Sequence, residues 1–265
     1  MSSTGSFIWY ELMTSDPDAA AKFYGSVIGW KISGQPNPLP GGRDYRMIGR
    51  SDGGSAGGVL KLSSDMLKNG AIPCWIGYLH VADVDAAAKA ILADGGRVIM
   101  PRMDLPVGSI AMVADPMGTP FYVMNPIPPP GKLEARSDVF DTKAVQRVRW
   151  NELASPDAAR AKAFYSRHFG FQFNEVMSMG PAGDYSFIDH DGVRIGAIMP
   201  KQPTSSSPGT WNFYFGVPSV SAARREITTG GGKVVQDMHQ VPGGDWILVA
   251  TDPDGATFGV VGPQG

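Results

Sequence analysis

Residues 7 to 13, Phe-Ile-Trp-Tyr-Glu-Leu-Met, form an apolar run interrupted by a single carboxylate, and this run reads as a strand. Asp16-Pro17 follows. Ala19, Ala20, Phe23, Tyr24 and Val27 then recur at helical spacing until Gly29, which predicts a helix opened by Asp-Pro and closed by glycine. Short strands near 29–33, 44–49 and 57–62 come next, separated by loops rich in Gly, Pro and Asn. Residues 74–125 give the same order: a strand over 75–81, a helix from Asp83 to about Ala93, a Gly95-Gly96 stop, and strands near 97–100, 108–113 and 119–124. Each stretch is one βαβββ unit. Helices at about 157–168 and 219–229 mark two more, so the chain holds four. Strands outnumber helices and hairpin-length links imply mostly antiparallel pairing, so the fold class is α+β rather than a three-layer α/β sandwich.

The pattern is also an internal repeat. Trp9-Tyr-Glu-Leu, Ser15-Asp-Pro-Asp-Ala-Ala, Phe23-Tyr24 and Gly29-Trp30 return as Trp150-Asn-Glu-Leu, Ser155-Pro-Asp-Ala-Ala, Phe164-Tyr165 and Gly170-Phe171, about 141 residues later. Asp44-Tyr45 returns as Asp184-Tyr185, Trp75-Ile-Gly-Tyr78 as Trp211-Asn-Phe-Tyr214, and Asp115-Pro-Met-Gly as Asp252-Pro-Asp-Gly. Between the halves lies Pro126-Ile-Pro-Pro-Pro-Gly131, which continues neither strand nor helix. Two tandem domains follow, 1–126 and 147–265, joined by a Pro-rich linker over 127–146.

Composition narrows the function classes. A formal net charge of −2 without any Lys/Arg-rich run gives no reason to expect nucleic acid or anionic membrane as partner. The single cysteine, Cys74, forms no internal disulfide, and Met1–Gly5 leads into no basic or long apolar segment, so a cytoplasmic protein is expected. The 34 glycines and 22 prolines, about a fifth of 265 residues, mark the many turns.

Paired βαβββ units, an opening strand followed by Asp-Pro, a helix with Phe-Tyr and then Gly-Trp, and a closing Asp-Pro-x-Gly resemble the vicinal oxygen chelate superfamily of glyoxalases, bleomycin-resistance proteins and extradiol dioxygenases. The chain is most similar to two-domain glyoxalase-like members with Trp-x-Glu-Leu on the first strand of each half. The resemblance implies curved sheets around cavities and, in the enzymes, one divalent metal held by His, Glu or Gln on first and last strands. It does not imply a shared reaction. Here those positions fall on Trp9, Ile76 and Tyr122 in the first half and on Trp150, Asn212 and Gly259 in the second. An indole nitrogen is a donor only and cannot ligate a metal in this role. No cofactor is therefore expected, and the usual metal least of all.

Strand alternation puts Phe7, Trp9, Glu11 and Met13 on the cavity side and Ile8, Tyr10 and Leu12 against the helix. Glu11 and its counterpart Glu152, each two residues from a tryptophan, are the candidate catalytic residues. Desolvation on such a wall favours a general base or a hydrogen-bonding anchor. The structural alternative pairs Glu11 with Arg46, and Glu152 with Arg149 or Arg194. Trp9, Tyr78, His80, Tyr122, Trp150, Asn212 and Tyr214 are the candidate ligand-binding residues, suited to a flat, carbonyl-bearing small molecule. Two functions follow. One is a glyoxalase/bleomycin-resistance-type protein that binds a small, partly hydrophobic molecule without metal. The other is a glyoxalase-like lyase, isomerase or hydrolase acting on a carbonyl compound through Glu11 or Glu152, or through a non-standard metal site. A third role, an interaction module with filled cavities, would leave both tryptophans as plugs. Monomer and homodimer both fit, because superfamily members exchange units between chains.

Overall fold

The computed structural model describes residues 2–36, 42–131, 135–201 and 209–265. The first module runs β1 (Phe7–Thr14), α1 (Pro17–Ile28), β2 (Lys31–Ile32), β3 (Tyr45–Gly49) and β4 (Ser55–Lys61), and a short helix α2 (Ser64–Lys68) leads out of it. The second runs β5 (Cys74–His80), α3 (Val84–Ala93), β6 (Arg97–Leu105), β7 (Gly108–Ala114) and β8 (Pro120–Pro126). The third comprises β9 (Val148–Ser155), α4 (Ala158–Phe169), β10 (Val176–Ser178), β11 (Asp184–His190) and β12 (Val193–Pro200). The fourth comprises β13 (Thr210–Gly216), α5 (Val220–Thr229), β14 (Lys233–Gln240), β15 (Trp246–Thr251) and β16 (Thr257–Gly262). Helix α2 is the one helix the pattern does not announce. It has five residues, buries none of them, and begins on a Ser63 cap to the Met66 amide, so it carries no apolar period to read.

Local chemistry sets the helix ends. The Asp16 carboxylate accepts from the Asp18 and Ala19 amides with Pro17 in the first turn, and Asp157 caps α4 through the Arg160 amide. Both helices stop at a left-handed glycine, Gly29 at φ 83° and Gly170 at φ 70°. The strands form two eight-stranded sheets, in the orders β2-β3-β4-β1-β5-β8-β7-β6 and β10-β11-β12-β9-β13-β16-β15-β14. Within every module the hairpin-linked strands are antiparallel, whereas the first strand pairs parallel with the last, as Glu11 with Gly58 and Tyr78 with Tyr122. The helical crossover makes that parallel return possible. The fold is thus α+β, with two tandem glyoxalase-like repeats.

By packing, the chain forms two compact units that draw on both repeats. One contains Met1–Ile8, Gly77–Ser137 and Trp150–Trp211, and so combines the second and third modules; the other contains Trp9–Ile76, Asp138–Arg149 and Asn212–Gly265, and combines the first and fourth. In this 1–4 unit, Trp30, Trp75 and Phe215 meet at ring separations of 4.7–5.7 Å beside Tyr24 and Phe258. The 2–3 unit packs Phe121, Phe164, Tyr165, Phe169 and Phe171 together, all buried. Phe7, expected on the cavity side with Trp9, instead sits edge-on to Trp211 at 5.3 Å in this core. Tyr10 and Leu12 are fully buried, as alternation predicts.

Within each unit a tryptophan, a tyrosine and an aspartate form a buried chain. Trp75 Nε1 donates to the Tyr24 hydroxyl at 2.8 Å, which donates to Asp252 Oδ2 at 3.0 Å. Trp211, Tyr165 and Asp115 repeat this at 3.0 and 3.3 Å. The other oxygen of each aspartate accepts turn amides, Met117 and Thr119 for Asp115 and Asp254 and Ala256 for Asp252. Asp-Pro here is turn chemistry and a core anchor at once. Burial raises both carboxyls, against the opposing effect of those amides, and raises both phenols well above their ordinary value.

Of the linker, residues 132–134 lie outside the described residues, and its later part is strapped into the 1–4 unit. Asp138 pairs with Arg50 at 2.5 Å and with Arg147 at 3.1 Å. Gln146, at φ 63°, bonds the Gly29 carbonyl through Nε2 and accepts from Ser51 through Oε1.

Candidate functional site

In the 2–3 unit, β9 presents Trp150 and Glu152 on one face and β11 presents Tyr185 beside them. Trp150 Nε1 donates to the Tyr185 hydroxyl at 2.8 Å, and that hydroxyl donates to Glu152 Oε2 at 2.7 Å. All three side chains are half-buried, and Phe187 flanks them at ring separations of 6.1 Å from Trp150 and 5.5 Å from Tyr185. The phenol thus orients the carboxylate, and the indole orients the phenol. A bond to a charged acceptor is among the stronger neutral-donor contacts and holds the carboxylate in one rotamer.

The 1–4 unit repeats the indole-to-phenol bond. Trp9 Nε1 donates to the Tyr45 hydroxyl at 2.7 Å. Glu11 is only 2% exposed, and its register partner across β1 and β4 is Gly58. The Tyr45 hydroxyl stands where a side chain on Gly58 would begin, since a Cβ there would lie 2.0 Å from it. Glycine at 58 therefore lets the phenol reach the strand position beside Glu11. In the second repeat Ala197 faces Glu152 instead.

Tyr45 and Tyr185 are the members of these hydrogen-bonded groups that the sequence pattern does not single out. The signal was present as the repeated Asp-Tyr pair, but strand β3 or β11 must be laid against its neighbour before the hydroxyl can be placed. The ion pairs of the structural alternative are not the ones these arginines make. Arg46 pairs with Asp18 at 2.5 Å and Asp44 at 3.1 Å; Arg149 pairs with Asp245 at 2.6 Å; Arg194 pairs with Glu175 and Asp189 and lies over the Phe187 ring. Aspartates nearer in the fold claim each guanidinium.

The other predicted residues line separate walls. Tyr78 and Tyr122 are register partners whose rings stack at 4.3 Å and 20° in the 2–3 unit. Tyr214 faces Gly259 in the 1–4 unit, and its ring covers the glycine so closely that a Cβ would meet it at 2.3 Å. Asn212 lies on the same strand, half-buried. His80 ends β5 in the 2–3 unit, 8% exposed, and its main chain bonds Gly5 and Ser6. Burial pulls its imidazole below the ordinary value. Cys74 is no nucleophile: burial first, and then the Glu11 charge, push its thiol up to about 12.

The resident metal of the resembled enzymes does not fit these residues. Trp9 and Trp150 spend their only polar atom as donors to tyrosine, Ile76 is apolar and buried, and Gly259 has no side chain and lies under a phenol ring. Among the described residues no three His, Cys, Asp or Glu side chains are grouped to hold an ion.

The sequence model of the Glyoxalase/Bleomycin resistance protein/Dioxygenase superfamily matches residues 6–122 and again 147–260. The chain is 28% identical over 258 residues to a Mycobacterium bovis protein named "Putative glyoxylase CFP32", covering 96% of this chain and 94% of the relative. It is 29% identical over 268 residues to the anthracycline biosynthesis protein DauV of a Streptomyces species, covering 97% and 93%. Its fold is similar to the Mn(II)-bound glyoxalase of Novosphingobium aromaticivorans, with a TM-score of 0.63 at 16% identity over 98% of this chain and 83% of that one. That last likeness concerns the fold alone.

Proposed function

Because the chain belongs to the Glyoxalase/Bleomycin resistance protein/Dioxygenase superfamily yet carries indoles where a metal ligand is usual, we propose that it binds a small, flat, partly hydrophobic molecule without a divalent metal. The observation that carries this reading is the Trp150–Tyr185–Glu152 chain, with Trp9–Tyr45 as its repeat. A half-buried aromatic wall supplies stacking area at low entropic cost, and a carboxylate oriented by Tyr185 anchors a ligand hydroxyl. A relative named for anthracycline biosynthesis makes a planar quinone a suitable probe. The low net charge and the absence, among the described residues, of a helix long and apolar enough to cross a membrane support a cytoplasmic protein with small-molecule rather than nucleic-acid or membrane partners, as monomer or homodimer.

Titration with 2-hydroxyanthraquinone, followed by quenching of tryptophan fluorescence, tests the proposal. Saturable binding that is indifferent to EDTA is expected. Binding that vanishes with EDTA and returns with a divalent metal refutes the metal-free reading.

The second reading is catalytic, with Glu152 or Glu11 as general base on a carbonyl compound. The Tyr185 bond, which orients the Glu152 carboxylate, favours it, as does the relative named as a glyoxylase. Turnover of an α-ketoaldehyde that falls steeply in Glu152→Gln or Glu11→Gln supports this reading. Unchanged turnover in both removes it.

A further inference from the structure

Among the buried polar atoms without a hydrogen-bond partner is one on the histidine that ends β5. His80 is more than nine-tenths buried, and its Nδ1 has no hydrogen-bond partner. Burial favours the neutral ring, and a proton on Nδ1 would be a buried donor without a partner, so the Nε2–H tautomer is favoured and Nδ1 keeps its lone pair. Buried acceptors are filled in the great majority of cases, by protein, water or ligand.

The strand register shows which side chains share the His80 face of the sheet. On β5, Tyr78 and His80 are two residues apart and share one face; on β8 their register partners are Tyr122 and Met124. The stacked Tyr78 and Tyr122 rings make a flat aromatic wall, and Met124, 8% exposed, continues it as an adaptable apolar surface. A buried acceptor at the end of such a wall suits a donor carried by a planar molecule. The equivalent position in the second repeat is Gly216, so only the first repeat has this acceptor.

We propose that His80 Nδ1 accepts a hydrogen bond from a phenolic or enolic hydroxyl of a planar ligand, and so makes the 2–3 unit selective for hydroxylated rings. This rests on the small-molecule reading above and adds the ligand's chemical class. His80 touches no reacting atom in this proposal; it is a specificity-determining residue.

The test uses the full chain with ¹⁵N-labelled histidine and two probes, 2-hydroxyanthraquinone and unsubstituted anthraquinone. The expected result has three parts. Nδ1 is the unprotonated nitrogen of His80 in the free protein; its resonance moves with the hydroxylated probe and not with the parent; and His80→Phe weakens binding of the hydroxylated probe alone, by roughly threefold to tenfold. His80→Gln, which returns an acceptor, recovers part of the preference. The nitrogen measurements need no variant and stand even where a substitution fails to fold. A proton found on Nδ1 in the free protein overturns the proposal whatever binds. Equal binding of both probes with an unmoved Nδ1 also overturns it, while the small-molecule reading survives. Binding of neither probe removes both.

Discussion

The Tyr24 hydroxyl, from the first repeat, donates to Asp252 Oδ2, from the second, at 3.0 Å, and Tyr165 and Asp115 make the reciprocal bond at 3.3 Å. Each tyrosine also receives an indole N–H, from Trp75 or Trp211. Every compact unit therefore has a polar centre that neither repeat supplies alone. Around that centre pack both aromatic and aliphatic side chains.

Tyr24→Phe leaves Asp252 Oδ2 and Trp75 Nε1 buried without their shared partner. The expected loss is about 1–3 kcal/mol of unfolding free energy, with probe binding unaffected. Urea denaturation of Tyr24→Phe and Tyr165→Phe measures it, read from the midpoint at constant slope. Wild-type midpoints in both variants would mean that the chain is incidental to stability.

Asp252 and Asp115 also carry a pH signature. Burial, the leading cause, raises their folded-state pKa above the unfolded value, so the folded protein holds more protons than the unfolded chain between the two. Their contribution is fully present below about pH 4, the ordinary aspartate value, and is lost as pH rises through the raised one. Asp252→Asn stays neutral throughout. The stability of wild type minus that of Asp252→Asn should therefore decline from pH 4 upward and then level off. A difference that grows with pH would show that the turn amides outweigh desolvation.

Tyr185→Phe removes the donor that orients Glu152 while keeping the ring. Affinity for 2-hydroxyanthraquinone at the 2–3 unit should fall by roughly threefold to tenfold, with the fold intact by circular dichroism. Tyr45→Phe, which removes the acceptor of the Trp9 indole, should weaken binding at the 1–4 unit. Additivity of the two losses in the double variant checks that the two sites bind independently.

Cys74 should be sluggish toward iodoacetamide at pH 8, because a thiol pushed up to about 12 offers little thiolate. Unfolding in urea should accelerate the reaction strongly. Glu11→Gln should accelerate it modestly in the folded protein, since the Glu11 charge is the lesser of the two causes. Rapid labelling of native protein would place the thiol in solvent.

The four βαβββ modules, the caps at Asp16 and Asp157, the stops at Gly29 and Gly170 and the alternation that pairs Trp9 with Glu11 were all legible along the chain. These features are made by residues within a few positions of one another, where propensity, capping and strand parity act directly. Helix α2 was not legible, because it buries nothing.

What lies far apart in the chain was decided by tertiary structure. Arg46 turns to Asp18 and Asp44, Arg149 to Asp245, and Arg194 to Glu175 and Asp189, since a long cation settles on whichever carboxylates the fold brings near. Tyr185 becomes part of the Glu152 site only when β11, β12 and β9 lie side by side. The repeat likewise leaves open which modules share a core, because all four carry the same apolar pattern. Tertiary packing settles that choice, and with it which aspartate each buried tyrosine meets.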